Sequence, residues 1–376
     1  MAKNISEIPF TELVERSRGL ARTGNNTVEK IRGIVQDVAI REIPSKFDWN
    51  FLLVSSSLTG VGQYNQGSVS INTGDTTLVF SSDVVLDSTY EGYKIFLAAN
   101  NQVYNVVNFI NTTSLTISPS LQGATNIQSG GYTLFKDTFT LADNFDRFPK
   151  MGGIYYWNGQ QKRTLKEVPY RQSNNDWSFY PSTNPDKCML VSQDTMGNQQ
   201  VQIIPPPSQA QNYGYDYFKQ CKPMIEVSDG TISSITAKAT QVTGNTNCRF
   251  LNAYSNGSDN LWFRVDALGV GNDSQWYKVL NILHDSSLTL SMAFANTAIT
   301  SSANYVISSS PEMPARLHVG VLYGTVRSTE LDQNDENFIF YHSQYYQVLS
   351  DSKRIYVSRP YAVDIEGIQT EYRYRY

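Results

Sequence analysis

The sequence predicts an α+β chain in which helices at the two ends form one bundle-like core. Two small, mutually similar antiparallel β modules are inserted into it, with a further β region between them. Three observations predict this arrangement. Apolar residues recur at helical spacing near both ends. Alternating runs bounded by Gly, Asn, Asp and Ser fill the middle. The stretch Gln102–Tyr132 aligns without a gap onto Gln275–Tyr305.

The first helix is expected to open at Pro9 and to carry Leu13, Val14 and Leu20, with Thr23-Gly24-Asn25-Asn26 breaking it. Asn26 followed by Glu29 resembles a capping box for the next helix. There Val28, Ile31, Val35 and Val38 form one apolar stripe, joined by Ile34, and Pro44 marks the expected end. These helices are assigned to residues 1–63.

From Gly67 the period becomes that of strands, with Val69–Ile71, Leu78–Phe80 and Tyr93–Leu97 as short runs. The repeat matches Tyr104 to Tyr277, Val106 to Val279, Asn108 to Asn281, Ser114 to Ser287 and Tyr132 to Tyr305. Upstream, Thr73-Gly74-Asp75-Thr76 pairs with Thr243-Gly244-Asn245-Thr246 after a short change of offset. One all-β module is therefore expected twice, over 64–136 and 226–309. Between them, 137–225 is β-rich. It holds Asn158-Gly159 as a hairpin turn and Pro205-Pro206-Pro207 as a stiff elbow.

Residues 310–354 are expected to supply two closing helices. One follows Pro311-Glu312-Met313-Pro314 with Leu317, Val321 and Leu322. The other carries Phe338, Tyr341, Tyr345 and Val348, joined by Leu349. The last stretch, 355–376, reads as an extended docking arm, because Tyr372, Tyr374 and Tyr376 share one face of a strand and the arginines take the other.

Composition narrows the function. Only 17% of residues are charged while 12% are aromatic, and the net charge of −4 argues against a large, salt-sensitive grip on nucleic acid. No apolar run is long enough to span a membrane, and MAKNISEIPF lacks the apolar core of a signal peptide. Cys188, Cys221 and Cys248 read as free thiols of a reducing compartment. No phosphate-binding glycine loop and no nucleophile elbow occurs. His284, His318 and His342 are far apart in sequence. A structural role is read for His318 and His342, should they meet between the helices. Asp332, Asn334 and Glu336 imitate the start of a calcium loop, but its later positions are wrong, so a polar turn is read there. Asp143 and Asp146 form the carboxylate pair a glycosidase would need, without a neighbouring sign of a cleft.

The chain resembles the head-to-tail adaptor proteins of tailed phages. The resemblance lies in Asn26-Thr27-Val28-Glu29-Lys30-Ile31 through Phe47-Asp48-Trp49-Asn50-Phe51, in Ile203-Ile204-Pro205-Pro206-Pro207 followed by Tyr213-Gly214-Tyr215-Asp216-Tyr217, and in Pro311-Glu312-Met313-Pro314 with His318 and Leu322-Tyr323-Gly324. It continues in Phe340, Tyr341, Tyr345-Tyr346 and Leu349. It implies a virion protein of the head–tail junction, assembled in the host cytoplasm, with no catalytic residue, metal or cofactor. It further implies a ring of roughly twelve copies beneath the portal. The helical core would line that ring, extending the DNA channel without reading sequence, and a face would dock the tail nozzle or tube protein. Tyr356, Tyr361, Tyr372, Arg373, Tyr374, Arg375 and Tyr376 are the residues expected to grip the portal. The duplicated module departs from the simplest adaptors. It keeps open a tail-fibre or carbohydrate-binding component that uses the paired modules, and a polysaccharide-degrading enzyme resting on scattered carboxylates.

Overall fold

The computed structural model describes residues 7–21, 27–123, 125–150, 153–169, 181–254, 260–266, 275–295, 298–300, 302–329 and 336–357. The chain divides into two compact units, one made of residues 1–52 and 220–376 and the other of residues 53–219.

The fold class differs from the expected one. Among the described residues the chain is mostly β, with four sheets, two of them seven-stranded, and with its α-helices towards the two ends. A helical-bundle core carrying small β modules is therefore incorrect. The physical reason is burial: each module closes over a full core of its own, and most of the largest fully buried side chains lie in or beside strands.

The unit of residues 1–52 and 220–376 begins with α1 (Phe10–Leu20), capped by Pro9, and buries Phe10, Leu13 and Val14. Helix α2 (Val28–Asp37) is capped by Thr27, whose side chain accepts from Lys30 N, so the cap lies one residue beyond the expected Asn26. The helix does not stop at Pro44. A π-turn over Val38–Glu42 lets Ile43 N donate to Val38 O, and α3 (Ile43–Lys46) follows with Pro44 in its first turn. The wider turn shifts the hydrogen-bond register just where proline has no N–H to give. At the other end of the chain α4 (Ala315–Thr329) packs against α1, α2 and α5 (Glu336–Tyr356). Arg327 meets Glu42 at 2.8 Å and lies over the ring of Tyr345.

The unit of residues 53–219 opens on β1 (Leu53–Gly60), a strand inside the segment read as helical. The first module follows as β2 (Val69–Ile71), β3 (Thr77–Phe80), β4 (Lys94–Leu97), β5 (Gln102–Asn111), β6 (Ser114–Ser118), β7 (Ile127–Gly130) and β8 (Tyr132–Phe135). They join in the order β7-β2-β3-β6-β5-β4-β8, so the two outer strands are separated in sequence by Gly131 alone. The sheet is bent almost into a barrel around Leu78, Ile95, Tyr104, Leu115 and Leu134.

The intervening region supplies β9 (Thr138–Thr140), β10 (Phe145–Arg147), β11 (Ile154–Asn158), β12 (Gln161–Thr164), β13 (Lys166–Glu167), β14 (Lys187–Gln193), β15 (Gln199–Ile204) and β16 (Gln211–Lys219). One sheet runs β1-β16-β11-β12 with β10 also on β16, and the other runs β13-β14-β15-β9. Tyr213, Tyr215 and Tyr217 alternate along β16 and are buried beside Phe145, Phe148 and Tyr156. Pro205-Pro206-Pro207 forms the elbow between β15 and β16, and Asn158-Gly159 turns β11 into β12.

The second module belongs with the helices. Its strands are β17 (Glu226–Val227), β18 (Ile232–Ile235), β19 (Gln241–Gly244), β20 (Leu261–Asp266), β21 (Tyr277–His284), β22 (Ser287–Leu290) and β23 (Asn304–Ser309). Their order is β17-β23-β20-β21-β22-β19-β18, and a bridge from Ile232 to Ala303 brings the far edge back to the start of β23. Glu226 on β17 accepts from Thr11 on α1 and pairs with Arg32 on α2. Arg264 on β20 holds both carboxylate oxygens of Glu15 on α1. These ties fasten the helices to this module.

The two modules share their long hairpin residue by residue. Val106, Asn108, Phe109 and Asn111 pair with Ile117, Thr116, Leu115 and Ser114. Val279, Asn281, Ile282 and His284 pair in the same way with Leu290, Thr289, Leu288 and Ser287. Both hairpins slip register at the same two places, leaving Val107 and Ile110 in one, and Leu280 and Leu283 in the other, as bulged residues. Tyr104 OH accepts from Gln122 N and Tyr277 OH from Ala295 N. Tyr132 OH donates to Gln66 O and Tyr305 OH to Asp229 O.

The upstream match is wrong by six residues. Gly74 N donates to Leu121 O and Leu121 N to Asp75 O, whereas Lys238 N donates to Phe294 O and Phe294 N to Ala239 O. Thr73-Gly74-Asp75-Thr76 thus corresponds to Ala237-Lys238-Ala239-Thr240. Gly74 and Lys238 both take positive φ. Thr243-Gly244 is the end of a strand and corresponds to Val79-Phe80. A Cβ on Gly244 would run into Cys248 Sγ and come 3.0 Å from the Phe250 ring. Phe250 packs edge-on against Tyr305, as Phe80 does against Tyr132, so a ring delivered from a different residue takes the space Gly244 leaves.

Candidate functional site

The best-defined functional geometry is the place where the C-terminal segment leaves the fold. After α3 the chain bends through Phe47 and returns as Trp49, which is fully buried. Trp49 Nε1 donates to Ile43 O at 2.8 Å. Its ring stands edge-on to Phe47 and tilted on Phe51, with centroids 5.2 and 5.7 Å away. From the other end of the chain, Tyr356 sets its ring edge-on to Phe51 and Lys353 Nζ lies 4.7 Å from the Phe47 centroid. An antiparallel bridge joins Trp49 to Val357. The end of α5 is therefore clamped on the Phe47 and Phe51 rings and on the Trp49 backbone, and whatever follows Val357 starts from a fixed point.

This corrects one part of the expected arm. Ile355 and Tyr356 are the last turn of α5, and Tyr356 is half-buried on Phe51 rather than extended. Tyr361, Tyr372, Arg373, Tyr374, Arg375 and Tyr376 lie outside the described residues.

Upstream of the clamp, α5 buries Tyr345, Leu349 and Ser352 against α4. Burial, and then the Glu42 carboxylate, push the Tyr345 phenol above its ordinary value. Phe338, His342 and Tyr346 stack in sequence along the helix, with centroids 5.4 and 4.8 Å apart, while Ile339 and Phe340 are exposed. The expected stripe named Phe338 and Tyr341 as packing residues and passed over Ile339, Phe340 and Tyr346. Four consecutive apolar residues from Phe338 to Tyr341 cannot all face one partner helix, and that was the available signal.

The histidines are not brought together in one site. His318 is fully buried: Nδ1 accepts from Ile8 N at 2.8 Å and Nε2 donates to Met313 O at 3.0 Å. Those two bonds need the neutral ring with its proton on Nε2. Burial holds its pKa below the ordinary value, against the opposing pull of Met313 O, the Glu7 carboxylate and Pro311 O. The unfolded chain therefore takes up this proton first. The stability contributed by the neutral ring is complete above about pH 6.5 and is lost as the pH falls below it, through the depressed folded value. The urea midpoint of the wild type is expected to fall over that window, and His318→Gln is expected to remove that part of the slope. An unchanged slope in the variant would assign it elsewhere.

The remaining candidates stand apart from the clamp. Cys188, Cys221 and Cys248 are buried and form no disulfide, and burial pushes the Cys188 thiol up to about 12. Asp146 pairs with its neighbour Arg147, and both Asp143 and Asp146 are exposed. Among the described residues, no group of three or more His, Cys, Asp or Glu could hold a metal ion. None of the described helices is long and apolar enough to cross a membrane.

No family model matches the chain. No curated protein matches it either. The site is therefore interpreted from its own chemistry: an anchored exit, an aromatic helix face beside it and a following segment rich in tyrosine and arginine.

Proposed function

We propose that the protein is a structural component of a tailed-phage virion, an adaptor that forms a ring under the portal, extends the DNA channel and offers the tail its docking surface. The observation that carries the reading is the clamped end of α5 at Trp49. A segment meant to reach another subunit gains from a rigid origin, because fewer conformations are lost on docking. Residues 358–376 carry Tyr361, Tyr372, Tyr374 and Tyr376 with Arg373 and Arg375 between the last three. Fully extended, such a length spans roughly 60 Å, far enough to cross onto a neighbouring protein. Tyrosine and arginine are the residue types that dominate buried contacts between proteins. DNA passes such a ring without sequence-specific binding, in keeping with a net charge of −4.

Electron microscopy of the protein mixed with portal rings of the virus that encodes it tests the reading. The expected result is a second ring stacked on one end of the portal. Deleting 366–376 is expected to abolish that stacking and leave the circular dichroism and melting of the protein unchanged. Stacking that survives the deletion would remove the arm from the mechanism. Trimeric particles with no affinity for the portal would remove the adaptor.

One observation favours a second reading, a glycan-binding virion component. A depression of about 510 Å³ on the first module is lined by Phe96, Asn101, Gln102, Asn105 and Gln122 among others, amide and aromatic groups suited to a sugar. The second module has Trp262 and Lys278 where the first has Lys94 and Asn105, so such a site would belong to one module only. Retention on a sugar array would favour this reading over the adaptor.

A further inference from the structure

We infer that the first β module of one copy docks against the second β module of another, through the bulged strand of the shared hairpin. This deepens the ring reading by naming its contact. It stands on the surface chemistry of the modules alone, and its test uses no portal, so the two can fail separately.

The bulges are the starting point. A bulge turns an extra side chain out of the ladder, and on a solvated sheet that side chain is ordinarily polar. Here all four bulged residues are aliphatic and exposed: Val107 and Ile110 at 51% and 46%, and Leu280 and Leu283 at 67% and 57%. The modules have diverged around them. Phe80 has become Gly244, Lys94 has become Trp262 and Gln122 has become Ala295. The two outward aliphatic positions are present in both. Folding does not demand this, because these side chains leave the core.

The segment beside each bulged strand enlarges the patch and gives it a sign. In the first module Leu86 N donates to Thr112 O and Phe109 N to the Glu91 carboxylate, which lays residues 86–92 along the strand. Val85 stands exposed there at 72%. Residues 81–93 hold Asp83, Asp87 and Glu91 with no lysine or arginine, and all three carboxylates are exposed. In the second module Phe250 N donates to Asp285 O, and Tyr254 OH donates to Asn281 Oδ1, which lays residues 250–254 along the strand. Leu251 and Tyr254 are exposed there. Residues 245–254 hold Arg249 and no carboxylate, and the Asp285 side chain next to them accepts from Leu251 N. One patch is therefore apolar with an acidic rim, and the other apolar with Arg249 and Asp285 balancing each other at its rim. Two acidic patches would repel. A charge-balanced patch that offers Arg249 does not repel the acidic one, which sets the direction of the pairing and leaves a free patch of each kind at the two ends. Such a contact is head-to-tail and repeats.

Sedimentation of the full-length protein tests the assignment. The wild type is expected to gain mass beyond the dimer as concentration rises, and to associate more weakly as salt screens the charged rims. Ile110→Asp and Leu283→Asp each place a carboxylate in one patch and are each expected to weaken self-association at least about tenfold. Mixed in equal amounts, the two variants retain one intact patch of each kind between them and should stop at a heterodimer. Far-UV circular dichroism checks that both fold. Asp83→Arg, an exposed charge reversal that leaves every aliphatic residue in place, should weaken association of the otherwise unaltered chain. A wild type that stays monomeric up to its solubility limit would overturn the assignment. So would variants that associate like the wild type, or single variants that each still form homodimers, since a patch would then be pairing with its own kind.

Discussion

Trp49→Ala is expected to lower the stability of the unit of residues 1–52 and 220–376 by about 3–5 kcal/mol. The side chain is fully buried, its ring contacts Phe47 and Phe51, and its Nε1 satisfies Ile43 O. Removing it opens a large cavity and leaves a carbonyl without its partner. Trp49→Phe keeps most of the ring and loses the hydrogen bond, so its cost should be nearer 1 kcal/mol. Urea unfolding followed by circular dichroism measures both, because Trp49 is itself one of the fluorophores. The same change should loosen the exit of α5. Limited proteolysis is expected to cut after α5 faster in Trp49→Ala, even under conditions where both proteins remain folded. Equal cleavage rates would mean that Phe51 and Tyr356 hold the exit without the tryptophan.

The second large effect is expected at Gly230. It sits at φ +81°, and a Cβ there would come 2.6 Å from Cys248 N and 2.7 Å from both Asn245 Oδ1 and the Asn247 carbonyl carbon. Two of those atoms are backbone and cannot rotate away. Strain and overpacking together should cost about 3 kcal/mol or more in Gly230→Ala. Gly67 is its counterpart in the first module, two residues before Val69 as Gly230 stands two before Ile232. It has φ +73°, but its Cβ would meet Ser81 Oγ and Val84 Cγ2, which are side-chain atoms. Gly67→Ala should therefore be the milder of the pair, near 1–2 kcal/mol. Thermal unfolding of the two variants checks the order, with Trp262 and Trp276 reporting on the second module. A reversed order would show that the loop around Cys248 yields more readily than the Ser81–Val84 turn.

The helices were legible because their signal is dense. Leu13, Val14, Ile31, Val35, Leu317, Val321, Tyr345 and Leu349 all repeat at helical spacing, and all are buried. The hairpin of the repeat was legible for a related reason. Tyr104, Val106, Ser114 and Leu115 are core positions, and their matches Tyr277, Val279, Ser287 and Leu288 are too. What failed was balance and register. Short strands such as Val69–Ile71 or Glu226–Val227 carry too few residues to announce a seven-stranded sheet. Their partners lie far away in sequence, so sequence periodicity understates the weight of β structure. The Thr-Gly-Asp and Thr-Gly-Asn segments matched because turn-forming residues recur everywhere, although one lies in a turn and the other closes a strand. At the C-terminus, the helix runs two residues past the expected switch to the tail, because Ile355 and Tyr356 suit a strand as well as a helix. The contact that holds them comes from Phe51, some three hundred residues upstream in the chain.

The exchange of Phe80 for Gly244 bears on how the two halves of this chain could have diverged. In the first module the aromatic ring comes from the strand and Leu86 occupies the position that Phe250 takes in the second. The ring and the space for it have moved together. Neither half of the exchange is tolerable alone: phenylalanine at Gly244 would collide with Phe250, and glycine at Phe80 would leave Tyr132 facing a void. A path between the two states must pass through a destabilised intermediate or change both positions at once. The duplicated modules therefore occupy separate peaks of one packing landscape, and grafts between them should succeed only when both positions travel together.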